Sequence, residues 1–140
     1  MVIGAHNSHI QRTPVMTPAG ALSAAGHHLA RRLGAHSAAV AVTCTAGRTA
    51  IQRACPGQPD PIQITGADLS PAEDGSVEAA FAAVPGLCAA DLRPARGQLT
   101  GPGKIRLMGG YQQAPVLDAY DLVVSVPRAS ATSQAGAGPL

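Results

Sequence analysis

Large aromatic side chains are nearly missing from this sequence, and that shortage limits the core it can build. Aromatic residues make up 2% of the 140 residues although 46% are hydrophobic, with one Phe, two Tyr and no Trp. Each large aromatic side chain buries about 150–250 Å² and such residues usually dominate core energetics. Here only Phe81, Tyr111 and Tyr120 are available, and much of the remaining apolar count is alanine, which buries little. A chain of this length covers roughly two-thirds of its unfolded surface on folding. It can therefore form a core, but a thin one. Gly 16 and Pro 12 add many breaks without reaching a low-complexity composition.

Charge narrows the function classes. Lys+Arg 10 against Asp+Glu 8 leaves a formal net charge of +2, and every cation except Lys104 is arginine. Proteins that work by neutralising phosphates carry a visible basic excess, so a nucleic-acid partner is disfavoured, as is a polybasic membrane patch. No apolar run approaches the ~18 residues needed to cross a bilayer. The start MVIGAHNSHI lacks the charged and apolar regions of a secretory signal, so a cytoplasmic location with no membrane partner is expected. Cys44, Cys55 and Cys88 are odd in number and form no CxxC pair. Neither a disulfide framework nor a structural zinc site is supported, and Cys44 and Cys88 read as small core residues.

Hydrophobic spacing predicts alternating strands and helices. Val2-Ile3-Gly4-Ala5 reads as a buried strand ending in the polar stretch His6-Asn7-Ser8-His9. Thr17 sits where a helix cap would be, with Pro18 at the first helical position. Leu22, Gly26, Leu29 and Leu33 then form one helical stripe, stopped by Gly34. Ala38 to Cys44 is a second strand. Thr45 to Pro61 is too broken by glycine and proline for a long element, and Ile62-Gln63-Ile64 is a short strand. Ser76 opens a helix to about Val84, Leu87 to Leu92 is another strand, residues 94–104 are a loop, and Tyr120 to Val126 is the last strand. The pattern predicts an α/β fold, a partly parallel sheet flanked by helices. One domain, or a piece of one, is expected over residues 1–128, followed by a flexible tail at 129–140.

The strongest chemical constellation is His6-Asn7-Ser8-His9, directly after the first strand. Ligands of open α/β sheets gather at the carboxyl ends of strands, and histidine is the side chain best matched to proton transfer near neutral pH. His6 and His9 are therefore the candidate catalytic residues, although either could instead hydrogen-bond the loop backbone. No HExxH pattern or nearby carboxylate completes a metal set, so no metal and no cofactor is expected. His27, His28 and His36 read as a helix face and a loop. There is no GxSxG elbow. The stretch from Gly97 to Ile105 looks like a phosphate loop, but its glycine spacing is wrong and Ile105 stands where Ser or Thr is required.

The run Val2 to Arg12, with Ala5-His6-Asn7-Ser8-His9-Ile10 at its centre, resembles the strand and loop of the erythromycin esterase-like family. Gly26 to Gly34 is similar to the helix that follows in that family. Val40 to Thr43 with Gly47, Ser76-Val77-Glu78, Asp91-Leu92-Arg93 and Asp118 to Val124 fit in the same order, across about residues 2–132. The resemblance implies the C-terminal portion only. In the longer family members an upstream segment supplies a glutamate and a histidine that activate water for ester hydrolysis, and His6 and His9 match a second pair of active-site histidines. It further implies a macrolide-like or other ester substrate, water as nucleophile and no covalent intermediate.

Two expectations follow. The chain is a truncated or split hydrolase that contributes one wall of a cleft to an upstream catalytic half, or it is a non-catalytic remnant that binds a small ligand or partner protein. Each missing large contact is worth about 1.5–3 kcal/mol of burial, against a total stability of only ~5–15 kcal/mol. A lone monomer would be marginal, so self-association or partial melting is expected of the isolated chain.

Overall fold

Turn chemistry, more than helix periodicity, decides how the first third of the chain is arranged. The computed structural model describes residues 1–57 and 61–131. Val2 to Ala5 forms no strand there, and Val2 is 98% exposed. An apolar run becomes a strand only when an edge pairs with it, and these residues have no ladder partner among the described residues. A single turn, α1 (Asn7–Ile10), follows. Thr17-Pro18-Ala19-Gly20 then closes a small hairpin between β1 (Val15–Thr17) and β2 (Gly20–Leu22). The Thr17 hydroxyl donates to the Gly20 carbonyl at 2.8 Å and Gly20 has φ 116°. Pro18 is thus a turn residue rather than the first residue of a helix. The helix α2 starts later than its stripe predicts, at Ala25–Leu33, and ends as expected on Gly34, at φ 52°. Gly26 is the one fully buried residue of α2. A Cβ there would lie 2.0 Å from the Ile10 carbonyl oxygen, so α2 lies directly on the end of α1.

The next strand overrides its punctuation. β3 (Val40–Ala54) is 15 residues long and passes through Gly47, where φ is 112° and a Cβ would meet the Ala129 carbonyl at 2.0 Å. Glycine and proline ended the expected strand at Cys44, but Gly47 lies within β3 and the first proline, Pro56, comes after β3 has finished. β4 (Ile62–Asp68) is correspondingly longer than the three residues expected. Ser76 caps α3 (Val77–Phe81) through its hydroxyl and the Ala79 N–H. Then come β5 (Cys88–Asp91), the hairpin β6 (Lys104–Leu107) and β7 (Gly110–Gln113), α4 (Val116–Ala119) and β8 (Leu122–Ala129). Neither the hairpin nor α4 was expected. β8 runs through Ala129, and residues 132–140 of the expected tail lie outside the described residues.

The main sheet has the order β4-β3-β8-β5. β3 and β8 are parallel, from Val40↔Leu122 to Gly47↔Ala129, and the outer pairs are antiparallel. The fold is mixed α/β with a partly parallel sheet flanked by helices. β3 changes neighbours along its length: β4 pairs with it only from Arg48 onward, so the edge from Val40 to Cys44 has no strand beside it among the described residues. The core is as thin as the composition requires. Among the described residues its buried apolar side chains are Ala39, Ala41, Val77, Ile105, Ala114, Val116, Ala119, Tyr120 and Val123, of which four are alanine. Ile10, Phe81 and Leu92 pack against them. On the opposite face of β3, Val40 is 38% and Val42 55% exposed.

One buried carboxylate ties these pieces together. Asp121 accepts from the Ala39 N–H at 2.8 Å and from Arg12 at 2.9 Å on one oxygen, and from Arg96 at 3.1 Å on the other. Burial alone would raise its pKa. The hydrogen bonds from Ala39 and Arg96, with the charges of Arg12 and Arg96, outweigh that and hold it below the usual carboxylate value. A lowered folded pKa means that this stabilisation is complete above the unfolded value of 3.8 and is lost as pH falls through the folded one. Asp121→Asn, which keeps the shape but not the charge, is expected to cost about 3 kcal/mol. Urea unfolding at neutral pH measures it, and the difference from wild type should shrink in acid.

Candidate functional site

Histidine at the start of a short helix can serve as its cap, and His6 does so. Its ring Nδ1 accepts from the Ser8 N–H at 3.3 Å and lies 3.2 Å from the Ser8 hydroxyl. With Nδ1 used as an acceptor, the neutral ring carries its proton on Nε2, which is left as a donor. Asn7 fixes the loop to the sheet. Its side-chain amide donates to the Val42 carbonyl at 2.9 Å and accepts from the Val42 N–H at 3.2 Å, as a neighbouring strand would. The Tyr120 hydroxyl donates to the Asn7 carbonyl at 3.3 Å, and burial of that phenol pushes its pKa up to about 12. Behind the loop, Gln112 donates to Gln11 at 2.6 Å and the Arg12 N–H donates to the Ala119 carbonyl at 2.8 Å.

The structure brings the two predicted histidines together without making them equivalent. Their ring centroids are 6.1 Å apart in an edge-to-face arrangement. His6 is half-buried and lines a cleft of about 280 Å³ along the unpaired edge of β3. His9 is exposed and does not line it. Desolvation, with a smaller contribution from the neighbouring His9, lowers the His6 pKa below 6.5. The ring is therefore neutral at pH 7, with Nε2–H as its donor.

Asn7, Val42, Thr43, Cys44 and Arg106 line the same cleft. Thr43 donates its hydroxyl to Glu78, whose same oxygen also accepts the Arg106 N–H at 3.0 Å. Glu78 is fully buried and its other oxygen has no partner among the described residues. The Cys44 thiol is half-buried, and burial raises its pKa by more than the nearby Arg106 charge lowers it, so it is not an activated nucleophile. Glu78 and Arg106 were not singled out as site residues from the sequence. Glu78 was visible as part of a helix start and of the family resemblance, without a role, and Arg106 sits in the unexpected hairpin.

The other candidates have structural partners. His27 Nδ1 lies 2.8 Å from the Arg12 carbonyl, while His28 and His36 are exposed. In the phosphate-loop look-alike, Lys104 donates to Glu73 at 2.6 Å and Ile105 is core. Among the described residues no three His, Cys, Asp or Glu side chains converge as a metal-ligand set. No helix among them is long and apolar enough to cross a membrane.

Comparison with known proteins gives a consistent picture. The family model described as erythromycin esterase matches residues 1–129. Among solved structures, a mutant erythromycin esterase, EreC, in its open conformation superposes with a TM-score of 0.72 at 24% identity, over 97% of this chain and 33% of that one. A succinoglycan biosynthesis protein matches with TM-score 0.65 at 20% identity, over 90% of this chain and 32% of that one. A Bacillus cereus protein matches with TM-score 0.64 at 19% identity, over 89% and 32%. The chain thus spans about a third of the solved structures it matches. No match is found among curated proteins.

The histidine pair gives a titration test. His6 binds its proton less readily folded than unfolded, so folding stability should fall as pH drops below 6.5. By NMR, the His6 midpoint is expected below 6.5, and His9→Asn should move it part of the way back up. An unchanged midpoint in that variant would rule out the coupling to His9.

Proposed function

The chain belongs to the erythromycin esterase family, and from that premise we propose that it forms one wall of a cleft in which water hydrolyses a carboxylic ester or lactone. The observation that carries this reading is the setting of His6. It meets the Ser8 N–H through Nδ1, is neutral at pH 7 and lines a cleft, and its tautomer leaves Nε2–H as the donor. In the reaction water adds to the ester carbonyl, the carbon–oxygen bond to the leaving group breaks, and an acid and an alcohol result. The role assigned to His6 is to hold the ester oxygen and offset its developing charge, with His9 beside it on the exposed rim. Activation of water falls to a base with a carboxylate partner on the opposite wall. A cleft of about 280 Å³ is too small to enclose a macrolide-sized ligand by itself, which fits a single wall. Water is the nucleophile and no cofactor enters the scheme.

A chromogenic ester assay tests this, with the purified chain alone and mixed with an upstream segment from a longer family member. Hydrolysis is expected to be stronger in the mixture and to fall about 100-fold or more when His6 and His9 are both replaced by alanine. Activity that survives the double replacement overturns the reading.

A second reading, a non-catalytic module that binds a partner protein or another copy of itself, is favoured by the bare face of β3 at Val40 and Val42 and by the unpaired edge beside it. Such surfaces promote association. Sedimentation at micromolar concentration separates the cases: this reading expects a dimer or larger species that persists without ester or upstream segment. A compact monomer with a sharp melt removes it.

A further inference from the structure

The side chain least explained by folding alone is Arg106. It is 6% exposed and lines the same cleft as His6. One nitrogen, Nη2, donates to the Ser70 carbonyl at 3.1 Å, and the guanidinium carbon lies 4.9 Å from the centre of the Tyr111 ring. The other two nitrogens, Nε and Nη1, are buried with no partner among the described residues. Leaving such donors unmet costs free energy, more for charged groups than for neutral ones. Ser70 and Tyr111 nevertheless hold the side chain in place.

We propose that Arg106 supplies the oxyanion-stabilising donors of this cleft, through Nε–H and Nη1–H, to the carbonyl oxygen of a carboxylic ester under attack by water. The proposal rests on the ester-hydrolysis reading above. The charge balance of the site suits it. Buried Glu78 accepts the Arg106 backbone N–H, and a neutral ester brings no further charge into the cleft. As water adds to the carbonyl carbon, the π electron pair moves onto oxygen, and the proton lost by the water passes to the base on the opposite wall. The new negative charge then meets two donors that had no partner before, an interaction stronger in the transition state than in the ground state. When the tetrahedral species collapses, the carbonyl re-forms, the bond to the leaving oxygen breaks, and that oxygen takes up the proton held by the base on the opposite wall. Arg106 remains protonated throughout.

Both nitrogens are closed to solvent, so a lining side chain must move for a ligand oxygen to reach them. Met108 has that freedom. It lines the cleft, is 47% exposed and sits in the β6–β7 turn at φ 52°, and methionine is unbranched and adaptable.

The test compares monoethyl butylphosphonate, a stable mimic of the tetrahedral anion, with the neutral ester ethyl pentanoate, using the full 140-residue chain. The phosphonate is expected to bind at least about tenfold more tightly than the ester. It should also shift the Arg106 Nε–H NMR signal in the wild-type chain, a readout that needs no variant. Arg106→Gln should abolish the preference and Arg106→Lys should retain part of it, with cooperative melting as the check on folding. Absence of a preference in the wild type, an unmoved Arg106 signal on saturation, or a preference that persists in Arg106→Gln each overturns the proposal. Phosphonate selectivity that depends on Arg106, in a chain that hydrolyses no ester alone or in the mixture, keeps the oxyanion site and removes the esterase reading.

Discussion

Asp121 holds together parts of the chain that the thin core could not hold by packing. Its carboxylate receives the Ala39 N–H at the entry to β3, Arg12 just beyond the histidine loop, and Arg96 from the segment after β5. Its backbone joins the same knot: the Asp121 N–H donates to the Ala39 carbonyl and the Asp121 carbonyl accepts the Leu92 N–H, both at 2.8 Å. A buried carboxylate is tolerated only when its oxygens are met by donors, and here three elements converge to meet them. With four of the nine described core residues alanine, directional polar contacts take on the task of fixing element positions that large side chains perform in richer cores.

The site hangs from this knot. Arg12 leaves the loop with its side chain on Asp121 and its N–H on the Ala119 carbonyl, which sets where Asn7 and His6 fall relative to β3. Tyr120, next to Asp121 in sequence, closes the circuit through its hydroxyl to the Asn7 carbonyl. Gly26 completes the support from below, because only a residue without a Cβ lets α2 approach the Ile10 carbonyl. Cleft geometry and fold stability are therefore set by the same few contacts.

Much of this was legible in the sequence where local chemistry decides the outcome. Ser76 as a helix cap, Gly34 as a helix stop, the strand from about Val40 and the mixed α/β class all follow from short-range rules. The misreadings have identifiable causes. Thr17-Pro18 suits a helix start and a turn equally, and Gly20, three positions after Thr17, favoured the turn. Gly47 suggested a break but serves as the point where β3 exchanges its neighbours. The β6–β7 hairpin is masked because Arg106 occupies a buried position, which spoils the alternation that marks a half-buried strand. In the site, His6 and His9 stand out in sequence. Asn7's hold on Val42, 35 residues away, and the convergence of Thr43, Glu78 and Arg106 depend on long-range pairing that spacing does not encode.

The clasp between Asn7 and Val42 makes the histidine loop the guard of a sheet edge. In a parallel pair each residue directs its N–H and C=O to one side, and those of Val42, facing away from β8, are both taken by a side-chain amide. Any extended segment that added to this edge at full register would have to evict Asn7 and, with it, the cap that fixes the adjacent His6. Growth of the sheet along this edge and an ordered His6 are mutually exclusive occupations of one strip of backbone. Occupancy of the cleft would therefore compete directly with edge-to-edge polymerisation of the chain.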